Sequence, residues 1–136
     1  MRVLFVCRAN VGRSQAAAEF YNQLMPGHGA SAGTIVSSPG QKLSQRNGAV
    51  NIIRVMNEHG SDMSGNQRTQ VTEPMLGKYD KVVVMAEPET IPDWLANYSK
   101  VELWTVKDAK NQDLQTTRTI ALEIKKLVHG LHQSNR

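Results

Sequence analysis

The sequence predicts an α/β fold: a single three-layer domain in which a four-stranded parallel sheet carries helices on both faces. Short apolar runs alternate with helix-favouring segments, which is the pattern of a parallel sheet joined by helical crossovers. The run at 3–6 is apolar, and the run at 81–85 is almost continuously apolar, as expected of a strand buried on both faces. With 136 residues and 40% apolar residues, the chain can bury one core, so we expect one domain over residues 1–136.

Two strands and two helices are predicted in the first half of the chain. They are strands at 3–6 and 34–36, a helix at 14–25, and a second helix that runs from a cap at Ser44 to about residue 59. Pro26-Gly27 ends the first helix, and Gly48, which has low helix propensity, is unfavourable near the start of the second helix. The glycine-rich stretch 28–33 is interpreted as a loop that leads into the second strand.

The second half is predicted to hold two more strands and three helices. They are strands at 81–85 and 101–104, a short helix that begins near residue 72, a helix at 87–97, and a closing helix that ends near residue 131. Pro92 is expected to break the helix at 87–97, because an interior proline costs about 3 kcal/mol. Asp113 or Thr116 is the predicted cap of the closing helix, and residues 132–136 are expected to fray.

The segment between the first strand and the first helix has the composition of an anion-binding loop. In a strand–loop–helix unit, backbone N–H groups point at the centre of the loop and the helix adds its positive N-terminal end, which suits phosphate. Cys7 opens the loop, and Arg13 lies where its planar fork can grip two oxygens of one anion. Gly12 lets the backbone approach the anion, and Asn10 tolerates a left-handed conformation.

Cys7 is the only cysteine of the chain and the predicted nucleophile. The thiolate is the nucleophilic form of cysteine, and helix N-termini and neighbouring cations stabilise thiolates. Ser14 could add a hydrogen bond to the same sulfur and ease its departure later in a reaction. A lone cysteine at a strand end is more often a small buried hydrophobe, and a lone arginine at a helix start is more often a surface charge. Their combination with Ser14 at one loop favours catalysis.

This combination resembles a known family. Cysteine, five residues, arginine and serine, between an apolar strand and an alanine-rich helix, resemble the signature loop of the low-molecular-weight protein tyrosine phosphatases, whose superfamily also includes arsenate reductases. Segments 36–40 and 79–85 resemble the family's second strand with its serine-containing turn and its third strand. Segment 107–109 falls where the family carries its general-acid aspartate, and 68–72 resembles a segment that supports the loop from behind.

The resemblance implies the role of each residue at the site. Cys7 would attack phosphorus, Arg13 would hold the phosphoryl oxygens, and Asp108 would protonate the leaving group. The substrate phosphate would be bound by loop residues Arg8, Ala9, Asn10, Val11, Gly12, Arg13 and Ser14. Independently of the family, Cys7 follows the first strand and Asp108 the fourth, so both are predicted at the same carboxyl edge of the sheet. Asp113 is the alternative acid, but its place before the closing helix favours a cap.

The chain departs from the family pattern at three places. Gly12 stands where the family usually has a second cysteine, Gln15 where it has a proline, and 109–111 where it has a proline and aromatic residues. The first departure removes the thiol with which the loop could form a protective disulfide. The third removes side chains that would flank a phosphotyrosine ring.

Three functions therefore remain open from the sequence. The main hypothesis is a cysteine-dependent phosphomonoester hydrolase, a protein tyrosine phosphatase by resemblance, that acts on a phosphorylated protein or a small phosphomonoester. The alternatives are an arsenate reductase that uses an external thiol, and a phosphate-loop protein that binds phosphorylated partners with little catalysis. Phosphate and vanadate are expected as inhibitory oxyanions, and no metal or other cofactor is expected to take part.

Composition narrows the expected partners and location. The net charge is +4, and residues 1–54 hold six basic residues against one acidic residue, which would attract anionic substrates. The basic residues are scattered singly, so nucleic acid is not expected as a partner. No run approaches the ~18 apolar residues of a membrane span, and a lone cysteine favours the cytoplasm. The four histidines (His28, His59, His129 and His132) lack metal-ligand spacing, so no metal site is expected.

Overall fold

The structure is a computed structural model, and it describes residues 1–135. Four parallel strands form one sheet in the order β2-β1-β3-β4. The strands are β1 (Val3–Cys7), β2 (Gly29–Gly33), β3 (Lys81–Val84) and β4 (Val101–Leu103). β1 is central: Val3 is in register with Gly29 on one side and with Lys81 on the other. The predicted fold class is confirmed.

Helices cover both faces of this sheet. The α-helices are α1 (Arg13–Leu24), α2 (Val50–Glu58), α3 (Asp93–Ala96) and α4 (Leu114–Ser134). α1, α2 and α4 share one core with Phe5 and Val83. The other face of the sheet is covered by α3 and by a 3₁₀-helix at Glu73–Lys78, through Leu95 and Leu76. Successive residues of a strand point to opposite faces, which is why β1 is buried along its whole length.

The second strand was predicted wrongly. The strand is Gly29–Gly33, the stretch interpreted as a loop, and not 34–36. Its small residues reflect close approach by other parts of the chain: a Cβ on Gly29 would lie 3.0 Å from the Ala18 carbonyl oxygen of α1. The apolar residue Ile35 is 51% exposed outside the strand. The glycine-rich composition led to the wrong prediction of a loop, because glycines required for close packing cannot be distinguished by sequence from glycines of a loop.

The second helix also begins later than predicted. Residues Leu43–Gln45 and Asn47–Ala49 form separate 3₁₀ turns, and α2 starts at Val50 after Ala49, so Ser44 does not cap it. Arg46 separates the two turns because its backbone is extended, with φ −106° and ψ 115°. The polar segment before α2 is thereby left free to border the site described below.

The C-terminal half follows the predictions more closely. The segment at 87–97 is broken as expected: Pro88–Thr90 is a 3₁₀ turn, and Pro92 precedes α3. Asp113 caps α4, which continues to Ser134, so the fraying predicted from residue 132 is wrong up to that point. Residue 136, the end of that prediction, lies outside the described residues. No helix within residues 1–135 has the length and apolar character needed to cross a membrane.

Candidate active site

The loop between β1 and α1 is shaped by Asn10, which adopts the left-handed conformation with φ 55°. Its side-chain oxygen accepts hydrogen bonds from the Thr69 backbone N–H at 2.7 Å and from Gln15 Nε2 at 3.2 Å. A backbone N–H can only donate, so the amide orientation of Asn10 is fixed. Its Nδ2 then donates to Ser14 Oγ at 2.8 Å and to Ser31 Oγ at 3.0 Å. The side chain of Asn10 therefore holds the loop in place through four hydrogen bonds.

This network also includes the hydrogen bond between Cys7 and Ser14. Ser14 Oγ lies 3.0 Å from Cys7 Sγ, and both residues are buried. Because Ser14 Oγ already accepts from Asn10, its own hydrogen is free to point at the sulfur. The Ser14 hydroxyl is thus placed to donate a hydrogen bond to Cys7 Sγ. The contact expected between Ser14 and the sulfur is present.

Arg13 lies at the first position of α1 and is 3% exposed. Its Nη1 donates to Glu87 Oε2 at 2.8 Å and to the carbonyl oxygens of Met85 and Val106, and its Nη2 donates to Glu87 Oε1 at 3.0 Å. Burial, the largest single effect, lowers the pKa of Arg13, but the hydrogen bonds to Glu87 together with the charges of Cys7, Asp108 and Glu87 raise that pKa overall. Those same bonds lower the pKa of Glu87, against the opposing effect of burial. Both groups are held in their charged forms.

The pair leaves one edge of the guanidinium available. Within residues 1–135, Arg13 Nε–H has no hydrogen-bond partner, and the second Nη2 hydrogen faces only Asp108, whose Oδ2 is 3.8 Å away. These two hydrogens lie side by side on the planar group, so they can hold two oxygens of one anion. Arg13 is thus fixed by Glu87 on one edge and open to an oxyanion on the other.

Asp108 lies in the loop between β4 and α4. Its Oδ1 accepts from the Lys110 backbone N–H at 3.0 Å, and its side chain is 49% exposed. The loop itself is held to α2, because Asn51 Nδ2 donates to the Gln112 carbonyl at 2.9 Å. Asp113, in contrast, accepts from the Thr116 backbone N–H at 2.7 Å as the cap of α4. The structure brings Asp108 to the loop of Cys7 and gives Asp113 a structural position.

A cavity of about 340 Å³ lies over the loop. We call it the catalytic cavity; it is lined by Cys7, Ala9, Val11, Gly12, Arg13, Gln41, Gln45, Arg46, Asn47, Gly48, Ile52, Asp108, Ala109, Lys110 and Asn111. Its two walls are the polar segment before α2 and the loop after β4. None of these lining residues is aromatic, and the two larger apolar side chains among them are Ile52 and Val11.

The structure separates the predicted loop residues into two groups. Ala9, Val11, Gly12 and Arg13 line the catalytic cavity with Cys7 and Asp108. Asn10 and Ser14 are buried behind it as supports, and Arg8 lines a neighbouring cavity instead. Ala109, which takes the place of the family's proline, packs against Gly12: a Cβ on Gly12 would lie 3.4 Å from that of Ala109.

Two supporting residues, Gln15 and Glu87, were not predicted, whereas Arg68 lies in the segment 68–72 that was predicted to support the loop. Gln15 donates to the Asn10 and Gln67 carbonyls, and Arg68 Nε donates to the Ala9 carbonyl at 3.1 Å. The contacts of Gln15 leave no pattern in the sequence. Glu87 could have been predicted at the site, because it follows β3 and the carboxyl ends of parallel strands lie at one edge of the sheet. The predicted support of the loop by segment 68–72 is present through Arg68 and Thr69.

The described residues contain no cluster of side chains suited to bind a metal ion. No group of three or more His, Cys, Asp or Glu side chains within residues 1–135 is arranged to hold a metal ion. Arg13 lies within ion-pair distance of two carboxylates at the loop, those of Glu87 and Asp108. The groups available for chemistry are therefore a thiol, a guanidinium edge, a carboxyl group and the N-terminal end of α1.

Comparison with known proteins agrees with this geometry. A glutaredoxin arsenate reductase from Synechocystis sp. is 30% identical over 132 residues, which are 96% of this chain and 95% of that protein. Among solved structures, the low molecular weight protein tyrosine phosphatase from T. tengcongensis has a TM-score of 0.82 at 23% identity, with 98% of this chain and 99% of that chain covered. An arsenate reductase in the phosphate binding state has a TM-score of 0.75 at 27% identity, with 96% of each chain covered.

The family model supplies the assignment. The model named low molecular weight phosphotyrosine protein phosphatase matches residues 2–135, which include the loop at Cys7 and the loop at Asp108. The resemblance inferred from the sequence is confirmed over nearly the whole chain. This protein belongs to the low molecular weight phosphotyrosine protein phosphatase family.

Proposed function

We propose that this protein is a phosphomonoester hydrolase that works through a phosphocysteine at Cys7. The observation that carries the proposal is the meeting of three groups on the catalytic cavity: the Cys7 thiol, the guanidinium of Arg13 and the carboxyl group of Asp108. Nucleophilic displacement at phosphorus needs a nucleophile, a clamp for the equatorial oxygens and a proton donor for the leaving group. The three groups match these three needs.

In the first step, the Cys7 thiolate attacks phosphorus and the bond to the leaving oxygen breaks. Asp108, in its protonated form, gives its proton to that oxygen. Arg13 and the loop N–H groups hold the three equatorial oxygens while their charge develops. The products of this step are a free alcohol or phenol and a phosphocysteine.

In the second step, water attacks the phosphocysteine and the S–P bond breaks. Asp108, now a carboxylate, takes a proton from the water, and Cys7 leaves as a thiolate. The hydrogen bond from Ser14 Oγ, at 3.0 Å, stabilises the departing sulfur. Inorganic phosphate is released, and Asp108 is again protonated for the next cycle.

Phosphotyrosine on a protein is the substrate that we propose, and family membership supports it. A cavity of about 340 Å³ is of the size that takes a small organic ligand. A small phosphomonoester would engage the same three groups, and phosphate or vanadate would compete for the loop. A catalytic thiol stays reduced in the cytoplasm, which we propose as the place of action.

The test is turnover and trapping with Cys7→Ser. The wild-type protein should hydrolyse p-nitrophenyl phosphate and a phosphotyrosine peptide, and acid quenching should trap labelled phosphate on Cys7. Cys7→Ser should lose turnover but still bind vanadate or tungstate, because Arg13 and the loop amides remain. Turnover by Cys7→Ser near the wild-type rate would overturn the assignment of the nucleophile.

Arsenate reduction by an external thiol is the second candidate, favoured by the 30% identical glutaredoxin arsenate reductase. The Cys7 thiolate would displace one protonated oxygen of arsenate, which leaves as water, and so form a Cys7–arsenic bond in the same loop. An external thiol would then attack the Cys7 sulfur, so that a mixed disulfide forms and arsenite leaves with two electrons. A second external thiol would restore Cys7, because no other cysteine exists in the chain. Arsenite release with glutathione and glutaredoxin, measured beside p-nitrophenyl phosphate hydrolysis, separates the two candidates.

A further inference from the structure

A second cavity, of about 310 Å³, lies beside the catalytic cavity. We call it the arginine cavity, because Arg8, Arg46 and Arg68 line it together with Lys110. It shares Ala9, Arg46, Asp108 and Lys110 with the catalytic cavity, so the two are neighbours. One ligand can therefore extend from the phosphate loop into the arginine cavity.

The most informative of these residues is Arg68, which is 1% exposed. Its Nε donates to the Ala9 carbonyl at 3.1 Å and its Nη1 donates to Gln41 Oε1 at 2.9 Å, and both acceptors are neutral. Within residues 1–135 no carboxylate lies within ion-pair distance of Arg68. A buried cation without a counter-ion is costly, because its lost hydration is not replaced by an opposite charge. The cost falls when an anion enters the cavity.

The cationic residues around Arg68 add to this positive charge. In the part of the chain that the structure describes, Arg8, Arg46 and Lys110 form no ion pair. Burial lowers the pKa of Arg68, and the positive charge of Arg46 lowers it further, so the two guanidinium groups repel each other. Asp108 is the one carboxylate among the residues that line the cavity, and it also faces Arg13 at 3.8 Å. Four cations around one carboxylate form a site for an added anion.

The surroundings indicate a peptide as the source of that anion. Ile35, 51% exposed, and Ser37 complete the lining of the arginine cavity. An exposed apolar side chain beside cationic groups can contact a peptide chain while the arginines hold an acidic side chain. Because Arg68 is bonded to the carbonyl of Ala9 in the phosphate loop, an anion there would sit at a fixed position relative to Cys7.

We propose that the arginine cavity binds the carboxylate of an acidic residue next to phosphotyrosine, so that the enzyme selects acidic phosphopeptides. The inference rests on the proposed hydrolase function and deepens it. Charge-assisted hydrogen bonds from arginine to carboxylate are about twice as strong as neutral ones, so one such contact should raise kcat/KM by about tenfold.

The test compares two phosphotyrosine peptides that differ only at the flanking residues, which are glutamate in one and glutamine in the other. Wild-type kcat/KM should be about tenfold higher for the glutamate peptide, and this ratio should shrink as salt is added. A wild-type ratio near one at low salt would overturn the proposal. p-Nitrophenyl phosphate, which carries no second anion, reports the hydrolase activity alone.

Substitutions then test whether the preference for the glutamate peptide arises in the arginine cavity. Arg46→Gln and Arg8→Gln should lower the ratio toward one, and Arg68→Gln should do the same if its loss does not disturb the loop. Arg54→Gln is the matched control, because Arg54 is an exposed arginine of α2 outside both cavities. A ratio that survives in Arg46→Gln and Arg8→Gln, or that falls equally in Arg54→Gln, would overturn the assignment to this cavity.

Failure of the arginine-cavity proposal can be distinguished from failure of the proposed hydrolase function. If the wild-type protein hydrolyses p-nitrophenyl phosphate but does not discriminate between the peptides, the proposed function stands and the arginine cavity is not a substrate subsite. If it hydrolyses neither p-nitrophenyl phosphate nor the peptides, the proposed function fails. In that case, binding of the two phosphopeptides to the protein, measured by calorimetry, still tests the cavity: equal affinities would overturn the inference.

Discussion

Arg13 and Glu87 form a two-point ion pair, with Nη1–Oε2 at 2.8 Å and Nη2–Oε1 at 3.0 Å. The two residues are far apart in the chain: one begins α1 and the other follows β3. Parallel strands place their carboxyl ends side by side, and this brings the two segments together. The pair fixes the plane of the guanidinium and so decides which edge faces the phosphate loop.

Glu87→Gln should lower kcat by about tenfold, because one of the two carboxylate acceptors becomes an amide donor and the guanidinium loses its fixed plane. The defect should be equal for phenyl phosphate and p-nitrophenyl phosphate, since proton donation to the leaving group is untouched. Steady-state kinetics with both esters checks this. Glu89→Gln is the matched control, because Glu89 is exposed two residues away. A defect confined to phenyl phosphate would instead place Glu87 in proton transfer.

The same pair should contribute to acid stability. The pKa of Glu87 lies below its ordinary value of 4.5, chiefly because of its hydrogen bonds with Arg13. A carboxyl group whose folded-state pKa is lowered stabilises the fold above its unfolded-state pKa, and this contribution disappears as the pH falls through the lowered value. Urea unfolding of wild type and Glu87→Gln should therefore differ at pH 7 and converge in strong acid. A constant difference across that range would contradict the linkage.

His59 should make the fold less stable in mild acid. Its ring packs edge-on against Phe20, with centroids 5.2 Å apart. Burial, followed by the charge of Lys125, lowers its pKa below 6.5. The neutral form is thus favoured in the folded state, and the stability it contributes is present above pH ~6.5 and lost as the pH falls through the lowered value. His59→Gln should flatten this part of the urea-midpoint profile, whereas His28→Gln, in the turn before β2, serves as the control for removal of a histidine.

Gly33→Ala should damage the loop from behind. A Cβ at Gly33 would lie 2.6 Å from the Arg8 carbonyl oxygen and 2.8 Å from the Asn10 backbone nitrogen, which is closer than atoms can pack. Such overpacking costs about 1–3 kcal/mol and should shift the loop, so vanadate binding and turnover should both weaken. Gly65→Ala is the control, because nothing lies within 4 Å of its added Cβ. Unchanged vanadate affinity in Gly33→Ala would show that the loop does not depend on this contact.

Gly33 also illustrates what the sequence could and could not predict. The apolar run of β1 and the residue types of the loop are local patterns, and they located Cys7, Arg13 and the start of α1 correctly. β2 was missed because its glycines are explained by atoms of α1 and of the loop, far away in the chain. A local pattern that signals a loop cannot be told apart from a strand that other elements approach closely.

The same limit applies to the charged residues of the site. Asp108 was singled out by the family resemblance, and its place at the same sheet edge as Cys7 followed from the topology of parallel strands. The pairing of Arg13 with Glu87 and the burial of Arg68 depend on side-chain positions that no spacing encodes. Polar side chains that are distant in the sequence and meet only in the folded chain could therefore be identified as partners only from the structure.

Asp108 and Asp113 provide the sharpest test of the proposed acid. Asp108 lines the catalytic cavity, with its Oδ2 3.8 Å from Arg13 Nη2, whereas Asp113 is the cap of α4. Asp108→Asn keeps the size of the side chain but removes its proton. Loss of a positioned general acid costs about 10²–10⁴-fold in rate, and most for leaving groups that depend on protonation.

Asp108→Asn should therefore reduce hydrolysis of phenyl phosphate or phosphotyrosine far more than hydrolysis of p-nitrophenyl phosphate, whose leaving group is already stable as an anion. Asp113→Asn should leave both rates unchanged, because asparagine caps a helix about as well as aspartate. Asp113→Ala should lower the urea midpoint and still leave the rates intact, since it removes the hydrogen bond to the Thr116 N–H at 2.7 Å. A leaving-group-dependent defect in Asp113→Asn, with normal kinetics in Asp108→Asn, would move the acid to Asp113 and show that the loop after β4 rearranges when substrate binds.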